Sequence, residues 1–151
     1  MLIGQFTSKL TDKDRLAVPK KLRSDLGEEM ILARWYEDCL VLVSKAGWNR
    51  LIERLSGATG PIVSPVRDID RFIIGMAFEI SLDKQGRFIV PGPMLEYAGI
   101  KTEVVFVGLG DRVEIWAAEE WKEAEEVVQK KASAAIELIA RQKDDSKTKE
   151  D

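Results

Sequence analysis

The segment RLAVP, Arg15 to Pro19, recurs as RFIVP, Arg87 to Pro91, and the match extends outward at a constant offset. LTDKDR before the first copy faces LDKQGR before the second, with Leu10 opposite Leu82, Lys13 opposite Gln85 and Arg15 opposite Arg87. Self-similarity of this kind marks a repeated supersecondary unit, so the chain is constrained to build one small structure twice. After each proline comes a short helical stretch, KKLRSDL or GPMLEYA, stopped at Gly27 or Gly99, where a helix end often takes a left-handed residue. MILARWYEDCLVLV and EVVFVGLGDRVEIW then each read as two apolar strands around a polar turn, leading to Trp48 or Trp121 at the start of a helical pattern.

Phe78, Ile80 and Leu82 alternate with Glu79 and Ser81, the period of a strand with one buried face. The DKQG that follows suits a tight reversal, so Arg87 is expected to begin the returning strand of a hairpin, near its tip. Ser64 and Pro65 suit a helix start, with serine as cap and proline at the first helical position, for a helix reaching roughly Gly75. Ala124, Val128, Ala132, Ala135 and Ile139 recur at three- and four-residue spacing and make the apolar stripe of a long helix. RQKDDSKTKED beyond it has no apolar pattern and reads as disordered. The expected organisation is a first module over 5–47, a helical connector over 48–76, a second module over 77–120, a helix over 121–140 and a charged tail over 141–151. A chain of 151 residues has room for one compact domain or two very small ones.

Composition narrows the chemistry. The chain has no histidine and one cysteine, Cys39, so it offers neither an internal disulfide nor a Cys/His zinc set, and no metal or cofactor is expected. Cys39 lies in the apolar run DCLVLV and reads as a small buried residue. Without histidine or a plausible thiol nucleophile, and with no spacing that selects a carboxylate pair, enzymatic chemistry is not expected. Gly108 and Gly110 lack the lysine and hydroxyl residue that complete a phosphate loop, and a hairpin turn accounts for them. MLIGQFTSKL does not have the build of a secretory signal and no 18-residue apolar run occurs, so a soluble intracellular protein is expected.

The net charge of -3 excludes a uniformly basic nucleic-acid coat, so any such surface must be local. Lys9, Lys13, Arg15, Lys20, Lys21 and Arg23 stand against only Asp12 and Asp14 in one short stretch. Such a cluster can meet phosphates, with arginine the type suited to a guanine edge; it can equally be a solvated face. Asp83 and Arg87 have a plain reading too, a carboxylate holding a tight turn and an arginine pairing across it. The four tryptophans, Trp35, Trp48, Trp116 and Trp121, read as core or interface anchors.

The repeated pattern of leucine, polar turn, then Gly-Arg-aliphatic-x-x-Pro, as LDKQGRFIVP and in altered form LTDKDRLAVP, resembles the MraZ family of bacterial regulators. The spacing between copies, the turn from Gly75 to Glu79, the EVVFVG strand and the EIW ending at Trp116 add to the resemblance, which reaches about Val128. It implies a mainly β fold with flanking helices (α+β), built as two tandem SpoVT-AbrB-like modules of the swapped-hairpin or double-split β-barrel type. It also implies a cytoplasmic, nucleoid-associated regulator that forms a homo-oligomeric ring and binds double-stranded DNA at repeated boxes upstream of the division and cell-wall genes. The family's Asp and Arg, four residues apart, fall on Asp83 and Arg87, with Gly86 in the turn; in the first copy Thr11 stands for the acid and Asp14 for the glycine, while Arg15 remains. The DNA contacts it implies are Arg15 and Arg87, with Lys13 and Lys84 beside them, and Lys20, Lys21 and Arg23 complete the candidate set. The competing reading is an AbrB-like antitoxin or protein-interaction module, which two full modules and a short tail disfavour.

Overall fold

The computed structural model describes residues 1–57 and 62–150. Residues 58–61 of the expected connector and Asp151 of the expected tail lie outside the described residues. The first copy supplies β1 (Leu2–Lys9), β2 (Arg15–Ala17), α1 (Lys20–Leu26), β3 (Glu29–Arg34) and β4 (Leu40–Ser44). Two helices follow, α2 (Lys45–Ser56) and α3 (Ser64–Phe72), with a 3-10 turn at Ile74–Met76. The second copy repeats the order as β5 (Phe78–Ser81), β6 (Arg87–Ile89), α4 (Gly92–Ala98), β7 (Glu103–Gly110) and β8 (Val113–Ala117), and α5 (Ala118–Glu150) ends the chain.

The copies are tandem in sequence and interleaved in space. Among the described residues, six strands form one antiparallel sheet in the order β1-β7-β8-β4-β3-β5, open at its two edges. The first strand of each copy therefore pairs with the third strand of the other, β1 with β7 and β5 with β3. The remaining two strands, β2 and β6, form a separate ribbon. In that ribbon Leu16 lies opposite Phe88, the residue that repeats it, and in the sheet Val41 of β4 lies opposite Glu114 of β8. Equivalent residues facing each other across antiparallel strands define a local two-fold axis, so the sequence repeat becomes an internal pseudo-symmetry.

This arrangement follows from what each strand must bury. Leu16, Val18, Phe88 and Val90 point inward and join Leu22, Met94, Leu32, Leu42, Phe106 and Ile115 in one core drawn from both copies. A single copy has too little apolar surface to close such a core alone. Residues 1–118 accordingly form one compact unit, and residues from Glu119 onward form a second. Gly108 sits where β7 meets β1: a Cβ there would lie 2.7 Å from the backbone nitrogen of Ile3, so only glycine lets the two strands approach. The β7–β8 turn closes through Leu109 N–H to the Arg112 carbonyl, as the hairpin reading of VGLGD requires.

Five expectations change. Phe78, read on a buried face with Ile80 and Leu82, opens the edge strand β5 and is 37% exposed, while the other two pack against the core. The reversal at DKQG is closed by Asp83 N–H donating to the Arg87 carbonyl, but β5 and β6 then part, because their partners lie in the other copy. Ser64 is the first residue of α3 and makes no capping bond; Val63 holds the cap position. Both tryptophan-led helices begin three residues earlier, at Lys45 and Ala118, and Ser44 caps the first by accepting from Gly47 N–H. The stretch from Arg141, read as disordered, continues α5 to Glu150. It contains no glycine or proline, and its Arg, Gln, Lys and Glu residues are good helix formers, so polarity alone does not end the helix.

Candidate nucleic-acid interface

The ribbon is three residues long on each strand, and its alternation decides what it displays. With Leu16 and Phe88 buried, the flanking Arg15, Ala17, Arg87 and Ile89 belong to the opposite face. Arg15 lies opposite Ile89 and Ala17 opposite Arg87, so the two arginines are diagonal neighbours about the pseudo-two-fold, roughly 7–8 Å apart at their backbones. An open hollow of about 370 Å³ is lined by both arginines with Asp83 and Ile89. Sequence reasoning did not pair the arginines or single out Ile89, which is 60% exposed; the matched RLAVP and RFIVP strands carried that signal, but nothing local indicates that they pair with each other.

The tips leading into the two strands are built alike from different residues. In the second, Asp83 Oδ1 accepts from Gln85 N–H at 2.8 Å and Arg87 N–H at 3.0 Å, and Gly86 takes a φ of 75°. In the first, Thr11 Oγ1 accepts from Lys13 N–H at 3.3 Å and Arg15 N–H at 3.0 Å, and Asp14 takes a φ of 57°. A hydroxyl thus replaces the carboxylate as the turn acceptor, and aspartate, which tolerates left-handed backbone better than most residues, replaces glycine. Each tip also caps the far strand: Val18 N–H donates to the Gly86 carbonyl and Val90 N–H to the Asp14 carbonyl.

The substitution changes the electrostatics where it leaves the geometry alone. Arg87 Nε lies 3.3 Å from Asp83 Oδ2, and the Asp83 carboxyl is held below its ordinary range by the Arg87 N–H first, then by the Gln85 N–H and the Arg87 charge. Thr11 offers no such charge, and among the described residues Arg15 has no ion-pair partner. The guanidinium of Arg15 is therefore the less compensated of the two.

The remaining candidates divide. Lys13 and Lys84 are exposed at the two tips, which the antiparallel ribbon places at its opposite ends. Lys20 and Lys21 are exposed on the first turn of α1, where the second copy has Gly92 and Pro93. Arg23 behaves differently. Its guanidinium packs on Gly86, where an added Cβ would meet it at 2.0 Å, and its Nε is buried with no hydrogen-bond partner. Gly86 is thus required twice, for its backbone angle and for the space Arg23 occupies. Among the described residues there is no group of three or more Cys, Asp or Glu placed to hold a metal ion, and no helix long and apolar enough to cross a membrane.

Two interleaved copies of one strand, tip, strand, helix and hairpin unit, joined through a β-ribbon, define an α+β protein of the swapped-hairpin class. The chain belongs to the MraZ family: the family model described as "MraZ protein, putative antitoxin-like" matches residues 1–60 and 73–143. It is 37% identical over 124 residues to a transcriptional regulator MraZ of Caldanaerobacter subterraneus subsp. tengcongensis, covering 82% of this chain and 85% of that one. It is 38% identical over 122 residues to a transcriptional regulator MraZ of Leuconostoc mesenteroides, covering 80% and 84%. The same name is carried by a Clostridium acetobutylicum protein, 38% identical over 127 residues, with 83% and 88% covered.

Proposed function

We propose that this protein is a sequence-specific DNA-binding transcriptional regulator, not an enzyme, that works in the cytoplasm on the nucleoid as a ring-shaped homo-oligomer reading repeated boxes upstream of the division and cell-wall genes. The observation that carries the reading is the β2–β6 ribbon with Arg15 and Arg87 on its outward face about a two-fold axis. A two-stranded ribbon fits the B-DNA major groove, and arginine forks match the O6 and N7 acceptors of guanine. Lys13 and Lys84 at the ribbon ends reach phosphates on either side, and Lys20 and Lys21 extend the contact from the first copy. Arg23 serves by holding the second tip over Gly86. The names of the relatives support the regulatory role, and a ring explains how a chain of net charge -3 holds DNA, since several small basic patches act together.

The uncompensated charge of Arg15 makes it the leading contact and Arg87 the second. The test is a mobility-shift titration on the protein's own upstream DNA over a salt series, comparing wild type with Arg15→Ala and Arg87→Ala. Loss of roughly 1–3 kcal/mol of binding in Arg15→Ala, and less in Arg87→Ala, is expected for removal of a guanine contact. Equal losses would remove the ranking. An oligomeric wild-type protein that binds no DNA at any salt would replace this reading with the interaction-module one.

A further inference from the structure

The ribbon displays one large side chain that the fold does not use. Of its six residues Ile89 is the most open, 60% exposed, while Leu16 and Phe88 are buried and Arg15, Ala17 and Arg87 are half-buried. The first copy has Ala17 at the equivalent place, so pairing of the two strands asks for no large aliphatic there. Ile89 shares the open hollow with both arginines, and in the register it stands directly opposite Arg15. An isoleucine left in water forgoes the gain that its burial would bring, and whatever surface buries it must also suit the arginines.

The arginines narrow what that surface is. On the outward face the neighbours of Ile89 are Arg15 across the ribbon and Arg87 two positions back on its own strand, so it offers one apolar group between cations. A protein partner is held by a broader apolar patch than this. The major-groove edge of DNA matches it: guanine presents O6 and N7 to an arginine, and thymine presents a single apolar group, its 5-methyl. Side chains directly opposite in a ribbon stand about 4.5–5.5 Å apart at Cβ, against a base-pair rise of about 3.4 Å. Ile89 therefore comes over the base pair next to the one that Arg15 meets. At the other half of the ribbon Ala17 stands opposite Arg87, and its short side chain does not reach out to a base.

We propose that Ile89 reads the 5-methyl group of a thymine adjacent to the guanine held by Arg15. The ribbon, two-fold in its backbone, thereby reads an asymmetric sequence, with guanine and a neighbouring thymine at one half and guanine alone at the other. This rests on the DNA-binding reading above and adds to it a base and the residue that selects it.

The protein's own upstream DNA, amplified once with thymidine triphosphate and once with deoxyuridine triphosphate in its place, tests it. The two fragments pair alike and differ only in the methyl. In mobility shifts at fixed salt, wild type should bind the deoxyuridine fragment about fourfold more weakly for each box held, the effect of one buried methyl. Ile89→Ala should bind the thymine fragment as weakly as wild type binds the other, and show no preference between the two. Ile89→Val, which keeps a branched strand residue and loses one methyl, should fall between, and both variants should melt with wild type. Equal binding of the two fragments by wild type overturns the inference and leaves the DNA-binding reading standing. A preference that persists in Ile89→Ala overturns it too, since the methyl then acts through the shape of the duplex or through another residue. Absence of binding to either fragment overturns both.

Discussion

At position 14 the backbone asks for glycine and the sequence supplies aspartate. Asp14 holds a φ of 57° in the tip where the second copy has Gly86 at 75°. The left-handed region costs a side chain on the order of 1 kcal/mol, less for aspartate than for most residues. Asp14→Gly is therefore expected to stabilise the chain by about 0.5 kcal/mol in urea melts, and to tighten DNA binding by removing an acid beside Arg15. A variant that melts earlier and binds more weakly would mean that the Asp14 side chain, and not only its carbonyl, holds the tip. Glu114 makes a second case. Burial raises its carboxyl above the ordinary value of 4.5, while Trp116 Nε1, donating at 3.0 Å, and Arg112 oppose the shift. The neutral form is the one the fold prefers, so its contribution is present below the ordinary value and is lost as pH rises through the raised one. Glu114→Gln keeps an acceptor for Trp116 and carries no charge. It should match wild type in melting temperature at pH 4 and exceed it at pH 7; a deficit at pH 7 would show that the carboxylate is stabilising where it sits.

At the scale of elements, the β2–β6 ribbon is small and carries a large share of the fold. Leu16 is 0% and Phe88 4% exposed, and they face each other on the pseudo-two-fold axis. Leu16→Ala should cost about 2–5 kcal/mol and Phe88→Ala about 3–5, the range for emptied core positions. Because both copies share one core, each variant should unfold residues 1–118 in a single transition by calorimetry; two separated transitions would mean that the copies fold apart. The repeat, the helices after each proline and the inward placement of Ile80 and Leu82 were legible in the sequence because they are local; Phe78, read with them, is exposed. Strand exchange was not, since alternation says which face of a strand is buried and nothing about which strand lies beside it. The same limit hid the meeting of Arg15 with Arg87 and of Arg23 with Gly86, each a contact between the copies. The candidate arginines came from the family resemblance, with the basic run around Arg15 beside it, and the resemblance also set Thr11 against Asp83; the structure adds that both accept the same turn bonds and that Asp83 pairs with Arg87.

For the whole molecule, charge sets the terms on which the proposed function can work. Net charge repels DNA, and one ribbon sets Arg15 and Arg87 at base edges with only a few lysines, Lys13 and Lys84 among them, at phosphates, each phosphate contact worth a slope of about 0.9 in the logarithm of affinity against that of salt. A patch of that size holds a single box weakly at physiological salt. In a ring, the second box on the same DNA is met by a ribbon already tethered, and effective concentration raises the combined affinity by roughly 10²–10⁴ without any new kind of contact. DNA with two boxes at native spacing should therefore bind at least ~100-fold more tightly than DNA with one, by mobility shift at fixed salt. The salt slope should also steepen, nearly doubling. Moving the boxes apart by half a helical turn should remove most of the gain, because the second ribbon then faces the wrong side of the duplex. Equal affinity for one box and two would mean that a single copy does the binding alone, and the ring would have no part in it.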